Sequence, residues 1–352
     1  MKFSNLASSP SVGWLEAPGN KEPSYISARI RLARNLSGFP FPMTANEEQL
    51  KEVRKKVFSA VSEVSLLKKA EKIKLEECSE LDKKFLIERH LISYQHSGKS
   101  RIAGLIFDEK EQVSIMVNEE DHLRIQFISG GLDLFEAWDI INRLDDELSK
   151  ILEFEYSERW GYMTSCPTNT GTGMRVSSQI HLPAIGMTGG LSGTMEDINK
   201  MGMVVRGLYG EGTRVMGNIL QISNQVTLGI SERRIIDSLT RLAKQVAERE
   251  KKAAAMILDK DPEGIKDSVF RSQGLLINAY KITFEEALDL MSNLRFGIYT
   301  KLLKSDIDVL NNLMIRIQPA HIQQAGGSKL NDLELDVARA HLIKKDLKVS
   351  NI

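Results

Sequence analysis

The sequence predicts an α+β fold followed by an all-helical C-terminal part. Apolar and polar residues alternate with period two over residues 27–32, 123–127, 174–182 and 218–228, the signature of half-buried strands. Helical periodicities separate these stretches, at residues 44–64 and 132–150. After Gly229 the strand signals stop, and helical patterns run on to Ile352. A length of 352 residues corresponds to about two domains. The division that follows is an irregular lead-in at 1–22, a mixed unit at 23–255 and a helical unit at 256–352.

The lead-in is rich in Ser, Pro, Gly and Asn. In the first strand Ser27, Arg29 and Arg31 share one face, with Ala28, Ile30 and Leu32 on the other. Phe39-Pro-Phe-Pro42 stops any regular element. Thr44 with Glu47 reads as a capping box opening a helix that buries Leu50, Val53, Val57, Val61 and Val64. Residues 101–107 and 112–117 form two strands joined by a polar turn at 108–111. Next, His122, Arg124 and Gln126 alternate with Leu123, Ile125 and Phe127. Gly130-Gly131 breaks the pattern before a helix whose inner side carries Leu134, Trp138, Ile141 and Leu148.

A flexible glycine-containing loop holding Cys166 then feeds Arg175 onto the polar face of the strand at 174–182. A second glycine-rich connection spans residues 205–212. In the last strand Leu220, Ile222, Val226 and Leu228 face inward. Ser231 opens a long helix that Asp261-Pro262 ends, and Thr283 with Glu286 caps another.

Composition excludes several functions. Lys+Arg and Asp+Glu both number 47, and a chain without basic excess is a poor non-specific nucleic-acid binder. Cys78 and Cys166 lie far apart, which excludes a disulfide framework and fits a reducing, cytoplasmic compartment. The histidines show no zinc spacing, and no apolar run approaches a membrane span.

The arginines therefore need a local explanation. Arg29, Arg31, Arg124 and Arg175 fall on polar strand faces, and Arg206 joins them from the second glycine-rich connection. Each alone reads as a solvated charge. Several on one sheet face repel unless a polyanion lies between them, and planar guanidinium donors suit phosphate oxygens. No Gly-x-x-x-x-Gly-Lys-Ser/Thr run is present, and neither are the signatures of ordinary protein kinases. A triphosphate held by arginine side chains remains. The acidic run Glu119-Glu120-Asp121, together with Glu211, would repel that nucleotide unless it served a cationic acceptor. Carboxylates gripping a guanidinium, one of them accepting its proton, meet that need, and a thiolate at Cys166 would add negative charge. A solvated acidic turn is the competing reading.

Together, Ser27-x-Arg-x-Arg31, Asn118-Glu-Glu-Asp-His-Leu-Arg124, Cys166-Pro-Thr-Asn-x-Gly-Thr-Gly173 and Arg206-Gly-x-Tyr-Gly-Glu211 resemble the phosphagen (guanidino) kinases. Creatine and arginine kinases carry a helical domain ahead of this unit. Here the first strand begins too early for one, and helices follow instead, a layout similar to the bacterial protein-arginine kinases. The resemblance implies an antiparallel sheet flanked by helices, glutamine-synthetase-like, with a C-terminal dimerisation and regulatory domain.

It implies site roles too. Ser27, Ala28, Arg29, Ile30, Arg31, His90, Arg124, Arg175, Val176, Ser177, Ser178, Gln179, Arg206, Gly207, Leu208, Tyr209, Gly210 and Glu211 would bind ATP, with Mg2+ held by the phosphates. Glu120 would be the catalytic base, with Glu211 and Cys166 holding the acceptor guanidinium. The implied partners are proteins bearing accessible arginines, a zinc-containing activator protein and the Clp protease system, with a homodimer as the assembly. A small-molecule guanidino kinase and an inactive phosphoarginine-binding adaptor are the alternatives. One motif departs from the family's regulatory Arg-Asp-x-x-Arg-Ala: Asp336, Arg339 and Ala340 are kept, but Leu335 replaces the first arginine. Phosphoarginine sensing is expected to be weakened.

Overall fold

The computed structural model describes residues 6–7, 9, 11–16, 22–98, 102–207, 215–327 and 329–349. Its frame is an eight-stranded antiparallel sheet made of β1 (Tyr25–Arg34), β2 (Glu71–Lys74), β3 (Gly104–Phe107), β4 (Val113–Val117), β5 (Leu123–Gly130), β8 (Met174–His181), β9 (Met203–Arg206) and β10 (Ile219–Asn224). The spatial order is β2-β3-β4-β5-β1-β8-β10-β9. A separate hairpin pairs β6 (Tyr156–Ser157) with β7 (Gly161–Tyr162).

Period-two alternation gives the sheet two unlike faces. Ala28, Ile30, Leu32, Ile125, Val176, Leu220 and Ile222 point to one side and are fully buried. There they pack against α4 (Leu134–Ser149) and the first half of α7 (Glu232–Lys260). Each of the Ile, Leu and Val side chains contributes about 1.5–3 kcal/mol by leaving water. On the other face, α2 (Glu80–Glu88) covers the β2–β4 end through Leu86, Leu105, Phe107 and Met116. The polar strip of β5, β1, β8 and β10 stays on that same face.

Several expectations are corrected. The helix at α1 (Glu47–Ala60) is capped by Asn46, boxed with Gln49, because Thr44 is engaged in a turn with the Phe41 carbonyl. β10 ends at Asn224, so Val226 and Leu228 stand 54% and 44% exposed instead of facing in. Asn224 bends the chain there, its side chain accepting from Val176 N and donating to the Met174 and Val226 carbonyls. Edge strands β2 and β9 were not anticipated; neither is long or strongly alternating. Within the lead-in, Val12, Trp14 and Leu15 form a small buried core with Ile128 and Ile315.

Helix α7 is capped by Ser231 and stopped at Asp261-Pro262, which also starts α8 (Pro262–Asn278). It passes from the sheet's core into a second, helical core between Ala247 and Ala254. That second core is built from α8, α9 (Phe284–Tyr299, capped by Thr283), α10 (Ile307–Arg316) and α12 (Asp332–Val349). No helix among the described residues is long and apolar enough to cross a membrane.

Candidate active site

Strand register assembles the arginines. Arg31 on β1 lies directly opposite Arg175 on β8, and Ala33 lies opposite Arg124 on β5. Side chains directly opposite on one face stand about 5 Å apart at their Cβ atoms, and like charges there are destabilising. Burial and the charges of Arg124 and Arg175 hold the Arg29 guanidinium down to about 10. Arg31 falls well below its ordinary value, through burial first and then Arg124, Arg29 and Arg175. Such crowding of guanidinium groups on one face fits the binding of a polyanion. Arg206, at the end of β9, faces Gln221, which also accepts from Arg29 at 3.0 Å.

The acidic run is the tight turn between β4 and β5, closed by Asn118 N donating to the His122 carbonyl. Its three carboxylates have three different surroundings. Glu119 is buried and bound by Arg124 and Ser93. Burial raises its carboxyl, but the Arg124 charge and these bonds prevail and hold it below the usual range. Asp121 is buried and accepts at 2.7 Å from both the Asn35 side chain and the Ser165 amide. All three line one cavity, and Glu120 alone of them is partly exposed. Of the run, Glu120 is the residue expected as base, and its two neighbours are held by these partners.

The cysteine loop is tied to its surroundings at several points. Tyr162 and Gly171 exchange backbone hydrogen bonds that close its neck. Thr227 donates to the Thr168 and Thr170 carbonyls and accepts from Thr172 N. Ser165 Oγ donates to the Glu120 carbonyl at 2.7 Å. Gly171 and Gly173 have φ of +111° and +63°, and a Cβ on Gly171 would lie 2.4 Å from the Thr227 oxygen. Cys166 sits on this loop with Sγ 3.0 Å from Thr168 Oγ1.

One cavity of about 390 Å³ brings Glu120 and Cys166 together with Arg31, Arg124, Arg175 and Arg206. Other candidates lie further along or behind. Ser27 and Gln179 bond each other at 3.0 Å on the same face. Ser177 pairs with Arg29 in the ladder. His90 packs edge-on to Trp14, held down to about 3 by burial and by the charge of Arg29. Ala28, Ile30, Val176 and Ser178 project to the opposite face and are buried there, since alternate strand residues change sides. Gly207 is buried beside Arg206. Leu208, Tyr209, Gly210 and Glu211 lie outside the described residues. Asp336, Arg339 and Ala340 are on α12; Arg339 donates to Asp336 and to the Ile317 and Ile282 carbonyls at 2.9 and 2.8 Å. Its guanidinium is engaged internally. Sequence reasoning missed Asn35, Ser165 and Thr227 as anchors, because nothing in the linear order pairs them with the loop. Among the described residues no group of three or more His, Cys, Asp or Glu is placed to hold a metal.

An arginine-rich face beside a carboxylate and a thiol is the arrangement expected of a guanidino phosphotransferase, and residues 52–253 match the family model "ATP:guanido phosphotransferase, C-terminal catalytic domain". Residues 262–351 match "Protein-arginine kinase McsB C-terminal domain". A protein-arginine kinase of Halothermothrix orenii is 42% identical over 338 residues, 96% of each chain. One from Pelotomaculum thermopropionicum is 45% identical over 337 residues, 95% of each. The chain belongs to the protein-arginine kinase family, whose members are ATP-dependent. In fold it is similar to lombricine kinase, with a TM-score of 0.61 and 22% identity, covering 70% of this chain and 71% of that one. It also resembles the duplicated taurocyamine kinase of Schistosoma mansoni, with a TM-score of 0.59, 23% identity and coverage of 87% and 47%.

Proposed function

We propose that this chain transfers the γ-phosphoryl group of ATP to the guanidinium of arginine side chains in proteins. One observation supports this above the rest: a single cavity sets Glu120 and Cys166 against Arg31, Arg124, Arg175 and Arg206. The arginines would neutralise the transferring phosphoryl group, which is where catalysis of this transfer is done. Mg2+ would be held by the phosphates and water. Glu120 would take the guanidinium proton as the nitrogen attacks phosphorus and the bond to the ADP oxygen breaks. Cys166, with Glu211, would hold the acceptor cation electrostatically.

The same reading divides the chain into a catalytic unit at 23–255 and a helical dimerisation unit at 256–352, with a zinc-containing activator and the Clp protease system as partners. With Leu335 in place of an arginine and Arg339 engaged internally, phosphoarginine would be a weak effector. Incubation with magnesium-ATP, free arginine and an unfolded protein, followed by detection of acid-labile phosphate, tests the proposal. Label on protein arginines is the expected result. Label on free arginine alone would make the chain a small-molecule guanidino kinase.

A further inference from the structure

Among the described residues that line the cavity shared by Glu120 and Cys166, Met43 is the single large apolar side chain. The rest of that lining is guanidinium groups, carboxylates, hydroxyls, amides and a thiol, with Ala33 and Gly173. Met43 is also 74% exposed, so most of its surface still meets water. A thioether offers nothing to a phosphate, and neither charge nor hydrogen bonding accounts for it in such a lining. It does suit an unbranched hydrocarbon, because a methionine side chain is flexible and polarisable.

The turn that carries Met43 is fixed to the acidic turn. Thr44 N and Ala45 N both donate to the Phe41 carbonyl at 2.9 Å, and Thr44 Oγ1 donates to it at 3.1 Å. His122 Nε2 donates to the Pro40 carbonyl at 3.1 Å, and its ring meets Phe39 edge-on. His122 N in turn donates at 2.9 Å to Asn35 Oδ1, on the side chain that also binds Asp121. Met43 and Glu120 therefore sit on segments with one anchor in common, His122, which follows Glu120 by two residues.

We infer that Met43 packs against the methylene stem of the acceptor and selects alkylguanidines, in which the cation is carried on an unbranched hydrocarbon chain. The inference deepens the proposed function and rests on its reading of Glu120 and Cys166 as the groups that meet the acceptor guanidinium. With the cation held there and the phosphates on the arginines, the three methylenes of an arginine side chain find their apolar partner in Met43. A guanidine without a stem gains nothing from this contact. Each methylene taken out of water is worth roughly fourfold in affinity.

Acceptor binding to the full chain in the presence of magnesium-ADP, read by calorimetry, tests this separately from transfer. The probes are a Gly-Ser peptide with one arginine, the same peptide with the arginine stem cut to two methylenes and to one, and methylguanidine. Met43→Ser should weaken the arginine peptide about five- to tenfold, with a smaller loss for each methylene removed and less than about twofold for methylguanidine. Met43→Leu should restore the arginine peptide to within about twofold, and the affinity for magnesium-ADP should hold in both variants. In transfer from ATP, KM for the peptide should rise by the same factor as its dissociation constant. An equal loss for every acceptor, no loss for any, or a matching loss of magnesium-ADP affinity overturns the stem contact. So does failure of the arginine peptide to bind the unaltered chain. Phosphorylation of protein arginines with unchanged KM in Met43→Ser would leave the kinase reading standing without the stem contact. Binding that depends on Met43 and on stem length, with no transfer from ATP, would keep the contact and remove the kinase reading instead.

Discussion

Asp121 Oδ1 accepts a hydrogen bond of 2.7 Å from the Ser165 amide, tying the acidic turn to the cysteine loop next to Cys166. The same oxygen accepts from Asn35 at 2.7 Å, which brings in the end of β1. Three segments distant in sequence therefore meet at one buried carboxylate. Its neighbour Glu120 is positioned as a consequence, its carbonyl held by Ser165 Oγ.

Removing that carboxylate should loosen both walls of the cavity. Asp121→Ala leaves one buried and one half-buried donor without this acceptor and should cost roughly 2–4 kcal/mol of stability. Turnover should fall at least about tenfold while KM for ATP stays within about threefold, because positioning of the acceptor is lost and not the arginine face. Thermal unfolding with steady-state kinetics checks both. Normal turnover in a destabilised protein would reduce Asp121 to a folding role.

Glu120→Gln keeps the shape of the wall and removes the proposed base. Turnover should drop by about 10²–10⁴-fold, with nucleotide affinity nearly unchanged by calorimetry. A variant that turns over normally would take Glu120 out of the chemistry.

Gly173 and Gly38 both have positive φ, +63° and +77°, but their surroundings differ. A Cβ on Gly173 would lie 2.6 Å from the Ala33 oxygen, while Gly38 has nothing within 4 Å. Gly38→Ala should cost only the backbone strain, about 1 kcal/mol. Gly173→Ala should exceed it by about 2 kcal/mol or more and displace the loop. Denaturant melts of the pair compare them directly, and equal losses would mean that the contact with Ala33 relaxes cheaply.

His122 is neutral in the fold, its Nδ1 accepting from Leu36 N while Nε2 donates to the Pro40 carbonyl. Burial holds it down to about 4, against 6.5 unfolded. Between these values the unfolded chain binds a proton that the folded chain does not. Stability from this group is therefore complete above pH 6.5 and declines as the pH falls toward 4. His122→Gln should flatten the acid limb of the stability curve by close to one proton, measured as unfolding free energy against pH. An unchanged slope would show that His122 does not titrate in this range.

Added phosphoarginine should activate the enzyme little. Strong stimulation would mean that another donor stands in for the arginine absent at Leu335.

The strand alternation at 27–32, 123–127 and 174–182 was legible because a half-buried strand writes its two faces into consecutive residues. For the same reason the arginines could be placed on the polar face before any pairing was known. Helix starts at Ser231 and Thr283 were legible too, since a cap is a local contact. Overreach came where locality fails. Val226 and Leu228 continue an alternating pattern but leave the sheet, because Asn224 bends the chain through bonds to a neighbouring strand. The contiguous runs assigned to ATP mixed both faces of the strand.

By itself, the sequence determined the α+β class, the two faces of the central strands, and the chemical types needed for a guanidino kinase. Tertiary structure alone decided how each charge is buried and what it is bound to. Glu119, Glu120 and Asp121 are consecutive and nearly identical in chemistry. They differ in burial and surroundings: Arg124 binds the buried Glu119 and the Ser165 amide binds the buried Asp121, while Glu120 between them is partly exposed. Strand register, likewise, set Arg31 opposite Arg175, a pairing of distant residues that no local pattern encodes.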